Sequence, residues 1–332
     1  MTVPAATFQT YAQIGRREDL SDMIFDISPT EKPFTAAVRK VKATQSKHEW
    51  QTDALASASA TNAAVEGDDS TANTADPTVR LFNYLQTLKK TVGVSGKARK
   101  ISTAGRADEF NYQLKKRMAE LGRDLEAALT QNNAATVGSA ASAPLLASFE
   151  SWICSSATAV GNYFSVGTGT AQTTPGQVGG TPVTAPTDST VAGTLTEASL
   201  KYVIRECWNK GGAPTMVIVG AAVKQKISGS FTGIATRFKD VKGDSEASII
   251  AGADVYVSDF GNINIVPSRF SRARTVLVVD PEYWAIASLR GFTMERLAKT
   301  GDSDKAHIIG DYTLECRNDL ASGKIADVDG TL

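Results

Sequence analysis

The sequence predicts an α+β fold with long extended elements, and three observations carry that expectation. Residues 104–131 place one apolar stripe at helical spacing over seven turns. Residues 47–95 hold two extended runs around a polar, low-complexity middle. From Thr275 to Val328, apolar strands alternate with polar turns, and no catalytic constellation lies on or near them.

At the N-terminus, residues 1–46 read as an arm with one short helix. Leu20, Met23, Ile24 and Ile27 recur at helical spacing before Ser28-Pro29 and Lys32-Pro33 punctuate the run. Extended segments at 47–55 and 78–94 follow, rich in alternating and β-forming residues such as His48, Trp50 and Thr52. Between them, 56–77 is almost wholly Ala, Ser, Thr, Asn, Gly and Asp, with too few apolar anchors to pack by itself. The whole of 47–95 is therefore expected to be a two-stranded arm with a soft tip. Such a ribbon is marginal in water and needs a surface to lie on.

The long helix should run from about Ala104 to Gln131, with Phe110, Leu114, Met118, Leu121, Leu125 and Leu129 on one stripe. Ser102 or Thr103 can cap it, and Asn132-Asn133 stop it. Its length would be about 40 Å. The opposite face carries Lys115, Lys116, Arg117, Glu120, Arg123 and Asp124, which suits either solvent or a partner.

Residues 134–193 are low in complexity apart from the apolar segment 145–153, and 167–186 reads as an exposed loop. A capped helix begins at Thr194 or Thr196, buries Leu200, Val203, Ile204, Cys207 and Trp208, and stops at Gly211-Gly212. A strand at 214–219, a helix at 221–228 and a hairpin turning at 259–262 complete a compact α/β lobe over 195–289. The strands after Thr275 read as long exposed-edge strands, a feature of a subunit that touches copies of itself.

The 332 residues suffice to bury roughly three quarters of the unfolded surface. Thirty-five basic and 35 acidic side chains cancel, so no global field draws the chain to nucleic acid or an anionic membrane. Three scattered cysteines, Cys154, Cys207 and Cys316, read as free thiols of a reducing compartment. Neither a secretory leader nor an apolar run of membrane-spanning length is present, so the expectation is a soluble intracellular product.

Catalytic chemistry finds little support. His48 and His307 lie in predicted strands without a second ligand at metal spacing. The run Gly93-Val-Ser-Gly96-Lys97 lacks the first glycine and the hydroxyl of a phosphate loop. Asp68-Asp69 and the Asp302/Asp304 pair sit in polar turns where nothing would desolvate them. No catalytic residue, cofactor or metal is expected, and the chain is not expected to be an enzyme.

Charge placement says more. From Gln51 to Val79 the chain has Asp53, Glu66, Asp68, Asp69 and Asp76 and no base. From Arg80 to Ala107 it has Arg80, Lys89, Lys90, Lys97, Arg99, Lys100 and Arg106 and no acid. A tip that points away from its own root can neutralise itself on the stem of a neighbouring copy. Each exposed pair is worth only about 0–1 kcal/mol, so many must act together. Trp50, Phe82 and Tyr84 are candidate apolar anchors across that boundary, with burial in their own subunit as the alternative. A solvated loop without a partner remains the other reading of the tip.

The ordered elements resemble the Hong-Kong-97-type (HK97) fold of tailed-phage major capsid proteins, and in detail the SU10-like branch. The likeness is carried by Asp19–Phe34, Glu150–Ile153, and Leu195–Leu200 with Trp208 and Gly211-Gly212. It continues through Val278–Pro281 and Leu297–Asp302 to Glu315–Asn318. The resemblance implies an N-terminal arm (1–46), an extended loop (47–95) lying across the adjacent subunit, and a peripheral domain with the spine helix (96–150). An axial domain (151–289, including a low-complexity loop at 155–193) and peripheral return strands (290–332) would complete it.

It further implies a virion shell subunit, assembled in the bacterial host's cytoplasm. Pentamers and hexamers of the chain would close an icosahedral head around double-stranded DNA that is packaged without sequence recognition. A portal belongs to such a head. The helix start near residue 104 leaves no room for a large N-terminal scaffolding segment, so a separate scaffolding protein is expected. The resemblance leaves a decoration protein open and carries over no residue pair for covalent cross-linking. Two alternatives remain: an encapsulin-like nanocompartment shell and, from another class, an enzyme built on the 195–289 lobe. A DNA-binding role is disfavoured by zero net charge, and Arg269, Arg272 and Arg274 read as a loop or intersubunit contact.

Overall fold

The structure, a computed structural model, describes residues 30–63, 65–67, 69, 77–103, 105–153, 162–168, 179–230 and 254–330. The expected helix at Leu20–Ile27, half of the 167–186 loop (169–178), Asp68, Asp76 and Cys154 lie outside these residues. In chain order the first elements are α1 (Pro33–Ala37), β1 (Arg39–Lys42), β2 (Lys47–Thr52), β3 (Val79–Tyr84), β4 (Gln86–Ser95), α2 (Gly96–Lys100) and α3 (Glu109–Thr130). Next come α4 (Phe149–Trp152), β5 (Tyr163–Ser165), α5 (Glu197–Asn209), β6 (Met216–Val219), α6 (Ala221–Ser230), β7 (Val255–Ser258) and β8 (Gly261–Pro267). The chain ends with β9 (Val276–Val279), β10 (Trp284–Arg296), β11 (Ser303–Cys316) and β12 (Gly323–Ala326).

Among the described residues there are three sheets. One runs β1-β10-β11-β4, one runs β5-β12-β9-β6-β8-β7, and β2 pairs with β3 alone. Mixed helices and sheets, segregated in this way, match the α+β expectation.

The long helix α3 is 22 residues, about 33 Å, and shorter than the periodicity suggests. Its N-cap is Asp108, whose carboxylate accepts from the Phe110 amide, and not Ser102 or Thr103. The correction has a local cause. Ser95 caps a separate one-turn helix, α2, and Gly105 (φ +75°) turns the chain before α3 can start. Phe110, Leu121, Leu125 and Leu129 are buried as the stripe requires, whereas Met118 is exposed.

The extended segment 78–94 also divides. Leu85 separates β3 from β4; β3 stays with β2, and β4 crosses to pair antiparallel with β11 from Ser95–Ser303 to Gln86–Tyr312. The two-stranded part of 47–95 is therefore only its root. This pairing covers β11 on both sides, so the return strands are not edge strands as expected. The edges of that sheet are β1 and β4. The strand 323–326, grouped by sequence order with the return strands, enters the six-stranded sheet between β9 and β5.

Two main cores hold the molecule. One gathers Leu121, Leu125 and Leu129 of α3 with Phe34, Phe149, Trp152, Trp284 and Leu314. Its aromatic centre is tight: Phe149 and Trp284 have ring centroids 4.5 Å apart, and Phe34 meets Phe149 edge-on at 5.7 Å. The other core lies between α5 and α6 and the inner face of β6, β8 and β9. The helix α5 carries a full capping box between Thr196 and Ser199, and Gly211 (φ +84°) ends it. Cys207 is buried there, as its apolar-face position predicts, while Trp208 is 54% exposed and so faces away from the core.

Candidate assembly surface

The ribbon root follows from strand alternation. In β2 and β3 the register pairs His48 with Asn83, Trp50 with Leu81 and Thr52 with Val79, so these residues share one face. That face lies on the chain's own body. The Trp50 indole donates to the Cys316 carbonyl at 2.7 Å and stacks 5.5 Å from Trp152. Leu81 is buried. His48 Nε2 meets Glu315 Oε2 at 3.0 Å, and the same carboxylate accepts from Arg317 Nε at 2.8 Å.

Asn83, fully buried, makes four hydrogen bonds. Its amide donates to the carbonyls of Ala147 (3.2 Å) and Leu314 (2.8 Å), and its Oδ1 accepts from the amides of Ala147 and Tyr84, both at 2.9 Å. Every donor and both lone-pair positions of the side chain are used, which fixes the ribbon's seat and register.

The other face carries Lys47, Glu49, Arg80, Phe82 and Tyr84. Glu49 pairs with both Lys47 and Arg80, and those contacts hold its carboxyl below the ordinary range. Lys47 Nζ sits 3.6 Å above the Phe82 ring, and Phe82 stands edge-on to Tyr84 at 5.6 Å. A crossing loop touches this strand, the Phe82 amide donating to the Gly180 carbonyl at 2.9 Å.

The described residues between β2 and β3 behave differently. Leu55 is 100% and Val65 77% exposed, and Glu66 and Asp69 are exposed as well. In the basic stem, Arg99 is engaged by Asp304 and Asp108, and Arg106 by Glu109 at 2.8 Å with its guanidinium over Tyr112. Lys97 and Lys100 are exposed on α2. Of the residues singled out from the sequence, Trp50 is thus committed to its own chain, the alternative weighed for it. Phe82 and Tyr84 lie on the ribbon's other face and are half-buried, Tyr84 packing in part against the first core, and Lys97 and Lys100 remain outward.

Sequence patterns missed three polar groups that organise this region. Glu126 is buried within α3, and its carboxylate accepts from the amides of Phe34 and Thr35, both at 2.8 Å, and from the Thr35 hydroxyl. It thereby satisfies the first turn of α1 and clasps the arm to the spine. Asn83 and Glu315 do the same for the ribbon. Each looks like an ordinary polar residue in sequence because the partners that tie it to a distant element lie 64 to 267 positions away. Among the described residues, no group of three His, Cys, Asp or Glu side chains could hold a metal ion.

Residues 3–329 match the family described as SU10 major capsid protein. The chain belongs to the SU10 major capsid protein family. A curated relative, the major capsid protein of Escherichia phage Phieco32, is 39% identical over 129 residues. That match spans 39% of this chain and 37% of the Phieco32 protein.

Among solved structures, the capsid asymmetric unit of cyanophage A-1(L) aligns at TM-score 0.65 and 12% identity, over 96% of this chain and 98% of that one. The holo-SrpI encapsulin complex from Synechococcus elongatus PCC 7942 aligns at TM-score 0.56 and 10% identity, over 98% of both chains. Identities this low establish the fold alone, and the fold is the HK97 type that the sequence resembles. An encapsulin shares that fold, so the family match separates the two readings and the architecture does not.

Proposed function

We propose that the chain is the shell subunit of a tailed-phage head, assembling as pentamers and hexamers into an icosahedral capsid that encloses double-stranded DNA. The observation that carries this is the family match over residues 3–329. The exposure of Leu55 and Val65 on the ribbon tip is consistent with it, because aliphatic side chains held largely in water favour a surface supplied by another molecule. In this arrangement the ribbon is the extended loop lying across an adjacent subunit. The helix α3 with the four-stranded sheet forms the peripheral domain, and the six-stranded sheet with α5 and α6 forms the axial domain.

The boundary between copies would use the acidic tip (Glu66, Asp68, Asp69, Asp76) and the outward lysines Lys97 and Lys100. The half-buried Phe82 and Tyr84 would add apolar contact. Arg99 and Arg106 would join only by sharing their present partners. Many modest contacts then add up through symmetric closure. The subunit would reside in the virion after assembly in the bacterial cytoplasm, with a separate scaffolding protein and a portal.

A second reading, an encapsulin-like compartment, is compatible with the fold, which the SrpI encapsulin shares. Electron microscopy of the expressed protein, with and without a co-expressed scaffolding partner, tests the proposal. Closed shells are expected, and in infected cells they should carry long duplex DNA. Shells holding a co-purifying enzyme in place of DNA would favour the compartment, and a protein monomeric under all conditions would refute both.

A further inference from the structure

We propose that the ribbon tip of one subunit seats in a groove between α1, α3 and β10 of a second copy, with its bare aliphatic side chains inside and its carboxylates on Lys32 and Lys40. The proposal rests on the shell reading above and names the seat that reading leaves unspecified.

The groove has a volume of about 290 Å³, and its lining includes Lys32, Thr35, Lys40, Leu125, Phe292 and Tyr312. It is apolar at the floor and cationic at the rim. Leu125 is buried, Phe292 and Tyr312 are half-buried and stacked at 4.8 Å, and both lysines are exposed. Gly122 lies on one wall, where the Lys32 ammonium approaches the spine helix closely: a Cβ there would come within 2.6 Å of Lys32 Nζ and shift that flexible side chain. Neither Lys32 nor Lys40 forms an ion pair with a described carboxylate.

The tip is the chemical complement. Leu55 and Val65 are its bare aliphatic groups, flanked by Asp53, Glu66 and Asp69, and no base lies between Gln51 and Val79. The stem arginines are a poorer match than the notional charge count implies, because Arg99 and Arg106 already hold acids of their own chain. Reach is sufficient. Thirteen residues per leg, half of the 26 beyond the root, span up to about 43 Å when extended. Within its own chain the tip leaves Leu55 wholly uncovered, which points to a second copy as the occupant.

Inter-subunit disulfide trapping tests this. Leu55→Cys and Ser288→Cys (Ser288 lines the groove) are made on separate chains that carry tags of different size. The two are co-assembled, oxidised and run on denaturing gels. The expected result is a mixed dimer that forms in shells and is lost when the native charge match is reversed by Lys40→Glu. Shells without a mixed dimer would overturn the seat while leaving the shell reading intact. So would a bond formed only when both substitutions lie on one chain, or a bond to Ile24→Cys in preference to Leu55→Cys, which would give the groove to the N-terminal arm. If the cysteine chains do not assemble, charge exchange decides. Lys40→Glu should lower shell yield at least fivefold and Glu66→Lys in the same chain should restore it; an undiminished yield from Lys40→Glu, or a loss that Glu66→Lys does not repair, would overturn the proposal.

Discussion

Glu315 shows how one carboxylate ties a projecting strand to a body. Burial pushes its pKa up, but the hydrogen bonds from His48 and Arg317 more than offset this, and the net shift is downward from 4.5. A carboxyl whose folded pKa lies below its unfolded one contributes fully above about pH 4.5 and loses that contribution as pH falls through the folded value. The ribbon root should therefore loosen in mild acid before the cores do. Trp50 fluorescence, reporting on the indole beside Trp152, is expected to change below about pH 4.5 ahead of global unfolding. Glu315→Gln should remove that early step, and an unchanged acid profile in the variant would assign the step elsewhere. Sequence alone suggested only strand residues here, because the buried character of Glu315 depends on a ribbon 267 positions distant.

At the scale of elements, the root and tip of the ribbon separate cleanly. Deleting 56–77 removes no described contact with either core, so the subunit should keep its secondary structure and thermal stability to within about 0.5 kcal/mol. It should at the same time fail to close shells. Circular dichroism and sedimentation of the deletion check the two halves of that expectation, and normal particles would show the tip to be dispensable. What was legible and what was not also divides at this scale. The helical stripes of α3 and α5, the alternation of the ribbon and the apolar β6 and β9 are local periodicities, and they stood in the sequence. The start of α3, the transfer of β4 to β11 and the entry of β12 into the other sheet depend on caps, one positive-φ glycine and long-range pairing, which no window of residues contains. The seat of the tip was not legible at all, because its walls come from α1, α3 and β10 together.

For the whole molecule, Lys324 of β12 reaches across to α4. It is fully buried, and its Nζ donates to the Glu150 carbonyl at 3.0 Å. Arg272 bridges the Glu150 carboxylate at 2.9 Å and Asp188 beside it, while Asp327, held at φ +60°, accepts from the Ser165 and Ser189 hydroxyls. Burial pushes the Lys324 pKa down to about 8 against the pull of Glu150. Between about pH 8 and the unfolded value of 10.5 the unfolded chain holds a proton that the folded one has released, so stability should rise with pH across that window. The rise from this group is on the order of 3 kcal/mol. Denaturant midpoints for the native chain and Lys324→Met test it: the variant should flatten the rise, and a parallel pair of curves would contradict it.

The ribbon has a further mechanical meaning if rings of five and six are both built from this chain. Identical subunits must then tolerate different angles to their neighbours. Asn83, Trp50 and Glu315 clamp the base rigidly, whereas the described residues beyond Thr52 and before Val79 have no such fastening to the body. Curvature would be absorbed at those two exits, like the flexure in a hinged panel, and each domain could stay undeformed whichever ring it occupies.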